Sequence, residues 1–163
     1  MAGAIITAAR QDWGTAPAFV GGVSSWFGAF DLDVAAGDHN AKAPRWYTEA
    51  DDGLSQPWLG SWWCNPPWES KTAKRFVAKA IAETLNPGSR GVMLLPHKSE
   101  QPFWRDIWRH ATAVLDVEGR MRFVGAASCV TVPAVLVVFG VDYGAGAIRG
   151  RVTRDGRLVR LAA

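Results

Sequence analysis

Residues 65–68 read Asn-Pro-Pro-Trp and set an amide, a locked bend and an aromatic ring in four consecutive positions. Two successive prolines restrict the backbone and end any strand ladder. The Asn65 side-chain oxygen and the Pro66 carbonyl are both hydrogen-bond acceptors. An exocyclic amino group carries two hydrogens that could meet them. Trp68 supplies a face on which a planar ring can stack. Such a set would grip one flat, amine-bearing ring. The competing reading is a purely structural Pro-Pro turn.

The elements that must position these residues follow from pattern. Ser61-Trp62-Trp63-Cys64 reads as a strand, so Asn65 stands at its carboxyl end, where ligands bind in open α/β sheets. A helix is predicted from about 70 to 85, with Phe76, Val77, Ala80, Ile81 and Leu85 on one apolar stripe. Asn86-Pro87-Gly88 stops it. The following GVMLLP run is typical of a buried parallel strand. A second helix is expected over 101–110, with Pro102 in its first turn. Strands follow near 112–117, 120–124 and 134–140, and Asp155-Gly156 marks a two-residue hairpin turn. Upstream, Gly21-Gly22 reads as a turn signal and 26–36 as a short strand ending in small residues. Residues 37–60 read as loop, with a short strand near Trp46. The alternation gives an α/β sheet with antiparallel strands added at the C-terminal end.

Composition bounds the rest. The 163 residues are 48% hydrophobic and 20% charged, which suits one domain, 1–163, with a sizeable core and argues against disorder. Two cysteines exclude a disulfide framework or a Cys-rich zinc site. His39, His97 and His110 are too scattered to suggest a metal site. No apolar run approaches the ~20 residues of a membrane span. The opening apolar stretch is too short for a secretory signal, so a soluble cytoplasmic protein is expected. Net charge is +3. Arginines 149, 151, 154, 157 and 160 share the C-terminal segment with one acid, Asp155, in a basic hairpin at about 147–161. That hairpin could grip a polyanion without reading sequence, or be a solvated face that guards a sheet edge. Of the nine tryptophans, most are expected in the core.

The Asn-Pro-Pro-Trp tetrapeptide resembles the Asp/Asn-Pro-Pro-aromatic motif of amino-group methyltransferases. The ordered set around it is more specific. Trp13-Gly14-Thr15-Ala16-Pro17 comes first, then residues 30–36 (FDLDVAA), then Asp52-Gly53-Leu54 with Trp58 and Gly60, then the tetrapeptide. Leu94-Leu95-Pro96, residues 119–123 (GRMRF) and 135–139 (VLVVF) continue it. From about residue 12 to 140 the chain resembles the phage-type Dam family of DNA N6-adenine methyltransferases.

That resemblance implies a Rossmann-like methyltransferase sheet, S-adenosylmethionine as methyl donor, DNA as partner, and a phage or prophage source. It implies Asn65, Pro66, Pro67 and Trp68 as the catalytic set, with the target base flipped out of the duplex and stacked on Trp68. Asp33, Val34 and Ala35 match the strand-end segment that holds the cofactor's methionine part, and a carboxylate there can pair with an ammonium. The alternative for Asp31 or Asp33 is a strand-end cap. Thr15 and Pro17 match an element that closes over the cofactor. Asp52 could touch ribose or target base, or be a solvated loop acid. His97 and Lys98 follow the LLP strand onto the edge that carries Asn65, where either could meet phosphate; a loop hydrogen-bonder is the other reading for His97. Arg120 and Arg122, two apart on a strand, point the same way and could meet backbone or base; a solvated strand face is the other reading. The family usually has tyrosine where Trp68 stands and adjacent Thr-Pro where this chain has Thr15-Ala16-Pro17. Only Gly37 lies near Asp33, so the glycine-rich cofactor loop of many methyltransferases is absent. The chain leaves little length for a recognition segment, so short or relaxed sequence preference is expected. Alternative functions are methylation of cytosine N4 or of a protein glutamine amide, and a catalytically silent DNA-binding protein of the same fold.

Overall fold

The computed structural model describes residues 14–124, 133–144 and 148–159. Trp13 and Arg160, and the expected hairpin's outer ends, lie outside the described residues. In chain order the elements are β1 (Gly14–Thr15), α1 (Pro17–Phe27), β2 (Leu32–Asp33), β3 (Arg45–Trp46), β4 (Ser61–Cys64), α2 (Ser70–Glu83), β5 (Arg90–Pro96), α3 (Trp104–His110), β6 (Ala113–Val117), β7 (Phe123–Val124), β8 (Ala134–Phe139), β9 (Ile148–Val152) and β10 (Leu158–Val159).

One mixed sheet has the order β10-β9-β6-β8-β5-β4-β2-β3, while β1 and β7 form a separate two-stranded ribbon. Strands β3, β2, β4 and β5 are mutually parallel. β8 runs antiparallel to both β5 and β6, and β10 antiparallel to β9. The expected α/β sheet with antiparallel strands toward the C-terminal end is therefore present.

The strands alternate their side chains between two apolar layers. Trp62 and Cys64 of β4 join Met93, Leu95, Val135 and Val137 under α2 and α3. Trp63 joins Val92, Leu94, Leu136 and Val138 under α1. Helices thus cover both faces, which is why β5 and β8 are apolar without interruption. Trp58, Trp62, Trp63 and Trp104 are fully buried, as the core reading of the tryptophans expects.

Helix α1 is a correction. The sequence predicts a turn at Gly21-Gly22 and a strand over 26–36, but the helix runs through both glycines to Phe27, and β2 keeps only Leu32–Asp33. Phe19, Val20, Val23 and Phe27 are its buried face. Pro17 stands at its start, where a missing N–H costs nothing. Gly22 is there for close approach: a Cβ would sit 1.8 Å from the Asp155 carbonyl oxygen of the C-terminal hairpin. The Trp26 Nε1 donates to the Gly156 carbonyl at 2.9 Å across the same contact.

Other boundaries move. Leu85, expected on the apolar stripe of α2, lies beyond the helix end and is 82% exposed. Residues 101–103 form a turn before α3. Residues 120–122 are not strand, because β7 begins at Phe123. The hairpin loop has three residues, 154–156, since Thr153 N donates to Arg157 O and Leu158 pairs with Val152. Gly156 takes φ +79°, as the last position of such a loop requires.

Candidate active site

Parallel β2 and β4 are neighbours, yet the chain leaves them in opposite directions, β2 toward β3 and β4 through α2 toward β5. Their carboxyl ends therefore form a topological switch point, the preferred ligand crevice of an open α/β sheet. A cleft of about 920 Å³ opens there. Val34, Ala35, Ala36 and Gly37 line it after β2; Asn65 and Pro67 line it after β4. Residues of the 48–54 loop and of the start of α2 complete the wall.

The 48–54 loop is pressed against the end of β2. At Gly53 a Cβ would lie 2.2 Å from the Val34 carbonyl oxygen, so no side chain fits. Asp52 before it holds φ +51°, a left-handed conformation that aspartate tolerates better than most residues. The Asp51 carboxylate accepts from the Thr48 N–H and hydroxyl, both at 2.8 Å, and those bonds hold it below the usual carboxylate range. Gly53 thus supplies, from a distant loop, a close approach that no glycine cluster near Asp33 provides.

The cleft is acidic. Among the described residues, Asp38, Glu49, Asp52 and Glu69 line it against a single guanidinium, that of Arg75. Glu69 caps α2, accepting from the N–H groups of Lys71 and Thr72, which lowers its pKa and keeps it ionised. Asp38, Glu49, Glu69 and Arg75 escaped the sequence reading. Only Glu69 carried a local signal, a capping acid just after the tetrapeptide; the others come together from separate loops and from α2.

Asp33 does not line the cleft. It is 3% exposed, and its carboxylate accepts from the Ala35 N–H at 3.3 Å and the Lys42 N–H at 3.0 Å. Burial raises its pKa to about 6 against the lowering effect of those bonds. Its visible role is the strand-end cap named among the alternatives, which shapes the Val34-Ala35 wall. Asp31 precedes β2 and binds the N–H and hydroxyl of Ser61. Cys64, next to Asn65, is fully buried; burial pushes its thiol well up, so it stays protonated and is no nucleophile.

The tetrapeptide is held on its other side by the β1–β7 ribbon. Asn65 Nδ2 donates to Thr15 Oγ1 at 3.3 Å, and Asn65 Oδ1 accepts from Trp68 Nε1 at 3.2 Å. The same indole N–H also reaches the Leu94 carbonyl at 3.3 Å. The Trp68 ring meets Phe123 edge to face, with centroids 5.3 Å apart. Pro66 is buried, neither it nor Trp68 lines the cleft, and no backbone hydrogen bond to the Pro66 carbonyl occurs among the described residues. Thr15 is 2% exposed and lies outside the cleft wall; Pro17 is exposed at the start of α1.

His97 and Lys98 follow β5 on the edge that carries Asn65. His97 Nδ1 stands 3.3 Å from Asp116 Oδ1, and its ring packs on Trp104. Arg120 and Arg122 are exposed on the loop entering β7, which brings them toward Trp68 through Phe123; the expected strand placement of the pair does not hold. Three arginines of the basic hairpin are engaged within the protein. Arg149 lies over the Trp108 ring at 4.6 Å, Arg151 meets Glu118 at 3.4 Å, and Arg157 meets Asp155 at 3.2 Å.

The family model described as DNA N-6-adenine-methyltransferase (Dam) matches residues 3–134. The chain belongs to the Dam family. The Dam-family match spans the switch-point cleft, the tetrapeptide and the β1–β7 ribbon, and stops before β9 and β10. A protein of Haemophilus phage HP1 (strain HP1c1), named DNA N-6-adenine-methyltransferase, is 36% identical over 67 residues, covering 40% of this chain and 38% of that protein. A protein of the same name from Escherichia phage T1 is 26% identical over 113 residues, covering 68% of this chain and 46% of its own length. The Dam-family chain thus aligns with less than half the length of either relative. The α/β sheet agrees with a methyltransferase-like fold, and no helix among the described residues is long and apolar enough to cross a membrane.

Proposed function

We propose that this chain transfers a methyl group from S-adenosylmethionine to N6 of adenine in DNA. The observation that carries the reading is the position of Asn65, which lines the acidic switch-point cleft and stands at the head of the proline-locked bend. The cleft suits the donor by its chemistry. Ala35, Ala36 and Gly37 let a ligand approach the backbone, and four carboxylates favour a molecule that carries a sulfonium and an ammonium. Polyphosphate would be repelled, so DNA comes to Asn65 from outside the cleft. When bound, S-adenosylmethionine supplies an electrophilic methyl, taken up as the N6–C bond forms and the C–S bond breaks with its electron pair left on sulfur.

The chain's own residues position the amine. Asn65 Oδ1 has a second lone pair beyond the one that meets Trp68, and the Pro66 carbonyl is the other acceptor. Accepting both N6 hydrogens turns the nitrogen lone pair out of the ring plane. Neither oxygen is basic, so the surplus proton leaves to water. Most of the rate then comes from orientation. A paired adenine cannot reach this bend from inside the duplex, so the base is flipped and its ring rests on Trp68. Val34 and Ala35 would meet the donor, with Asp52 near its ribose or the target base. Asp33 would act through the wall it shapes, and Pro17 would stand over the donor. His97, Lys98, Arg120 and Arg122 would meet the flanking DNA, with short or relaxed sequence preference.

The deciding experiment incubates the protein with methyl-labelled S-adenosylmethionine and plasmid DNA, then identifies the labelled nucleoside. N6-methyladenine is expected. Label in N4-methylcytosine, label only in added protein, or DNA binding without uptake of the donor would each overturn the reading.

A further inference from the structure

The resemblance gives Trp68 one task, stacking, and gives Thr15 another, covering the donor. Their hydrogen bonds point to a different one. An asparagine amide has a broad, nearly two-fold torsion, so its oxygen and nitrogen exchange places readily unless neighbours choose. Here Trp68 chooses, and the Thr15 hydroxyl, which can accept or donate, holds the amide where Trp68 has set it. The Trp68 indole nitrogen can only donate, so the atom 3.2 Å from it must be Oδ1. Nδ2 is then left for the Thr15 hydroxyl at 3.3 Å, which accepts from it. Turning the amide over would set one N–H against another at Trp68 and would present hydrogens to the target amine in place of an oxygen.

The two partners are themselves fixed by one register pair. Thr15 faces Phe123 across the β1–β7 ribbon, and Phe123 packs edge-on against Trp68. A single rung of the ribbon therefore holds both ends of the amide's surroundings. Leu94 O, sharing the indole hydrogen at 3.3 Å, ties the same ring to β5.

Resting on the adenine-N6 reading above, we propose that Thr15 and Trp68 are positioning residues that lock the Asn65 carboxamide with its oxygen toward the reacting amine. Phenylalanine keeps the stacking face of Trp68 but has no N–H, so the two roles of that residue separate. Valine keeps the shape of Thr15 without its hydroxyl, and serine restores the hydroxyl.

The test measures steady-state methylation of plasmid DNA, S-adenosylmethionine affinity by calorimetry, and the Asn65 side-chain amide resonances by NMR, for wild type, Thr15→Val, Thr15→Ser and Trp68→Phe. Thr15→Val and Trp68→Phe are expected to lower kcat roughly 10- to 100-fold, the scale of a misplaced reacting group. Donor affinity should stay within about threefold, on the order of 0.7 kcal/mol. Thr15→Ser should restore most of the rate. The Asn65 amide resonances should shift in Thr15→Val and Trp68→Phe, whether or not DNA is present. Unchanged kcat in Trp68→Phe would leave stacking as its whole task and overturn the proposal. A loss in Thr15→Val that appears only as weaker donor binding would return Thr15 to the donor and overturn it too. Resonances insensitive to both changes would do the same without any activity measurement. A wild-type chain that leaves adenine unmethylated would instead defeat the underlying reading, which the NMR arm does not touch.

Discussion

Thr15 and Asn65, 50 residues apart in the chain, meet through a hydroxyl–amide hydrogen bond of 3.3 Å behind the wall of the switch-point cleft. The contact joins the β1–β7 ribbon to the carboxyl end of β4. It converts an acceptor on a bend into an acceptor with a defined direction.

Asn65→Ala should abolish methylation, lowering kcat by roughly 100-fold or more, in line with the loss of a preorganised polar group at a reacting centre. Asn65 is only partly buried, so the fold should persist. Circular dichroism and a methylation assay on the purified variant decide it; near-normal turnover would remove Asn65 from the chemistry.

Gly53→Ala should weaken donor binding about tenfold and destabilise the fold by about 1–3 kcal/mol, the usual cost of forcing atoms into a packed site. The added Cβ would lie 2.2 Å from the Val34 carbonyl oxygen and must push the 48–54 loop off the cleft wall. Calorimetry with S-adenosylmethionine that finds unaltered affinity would show that this loop does not shape the donor site.

Asp33 should leave a signature in stability against pH. Its pKa rises from 3.8 unfolded to about 6 folded, because burial disfavours the charge. Between those values the native state holds a proton that the unfolded chain has released. Its contribution to stability is therefore greatest below about pH 4, falls as pH rises to about 6, and is level above. The fall is on the order of 3 kcal/mol. Asp33→Asn also loses one acceptor for a backbone N–H, an offset that does not vary with pH. Denaturant unfolding of both proteins from pH 4 to 7 should show their difference changing across that window; parallel curves would contradict the assignment.

Lys98→Ala with Arg120→Ala should weaken DNA binding without regard to sequence. Each lost phosphate contact should reduce the slope of log K against log salt by about 0.9. Fluorescence anisotropy over a salt series measures it, and an unchanged slope would place DNA on another surface.

Gly22→Ala tests the seat of α1. Propensity alone favours alanine by about 1 kcal/mol. The Cβ, 1.8 Å from the Asp155 carbonyl oxygen, should reverse that sign and destabilise the protein by about 2 kcal/mol. A raised melting temperature would mean that helix and hairpin do not pack as described.

Local pattern alone determined much of this protein. The Pro-Pro bend after SWWC marked the end of a strand, the stripe of Phe76, Val77 and Ala80 marked α2, and the uninterrupted apolar runs marked β5 and β8, because periodicity reports which faces are buried. The apolar spacing of α1 was also present, but Gly21-Gly22 read as a turn. Only the packed hairpin shows why a helix needs a glycine at position 22. The tertiary structure decided what distant segments do to one another. It took both oxygens of Asp33 into backbone bonds, gathered acids from separate loops around the cleft, and laid the β1–β7 ribbon against Asn65. Those pairings depend on how the layers close, and spacing along a chain carries no record of which side chains face each other across fifty residues.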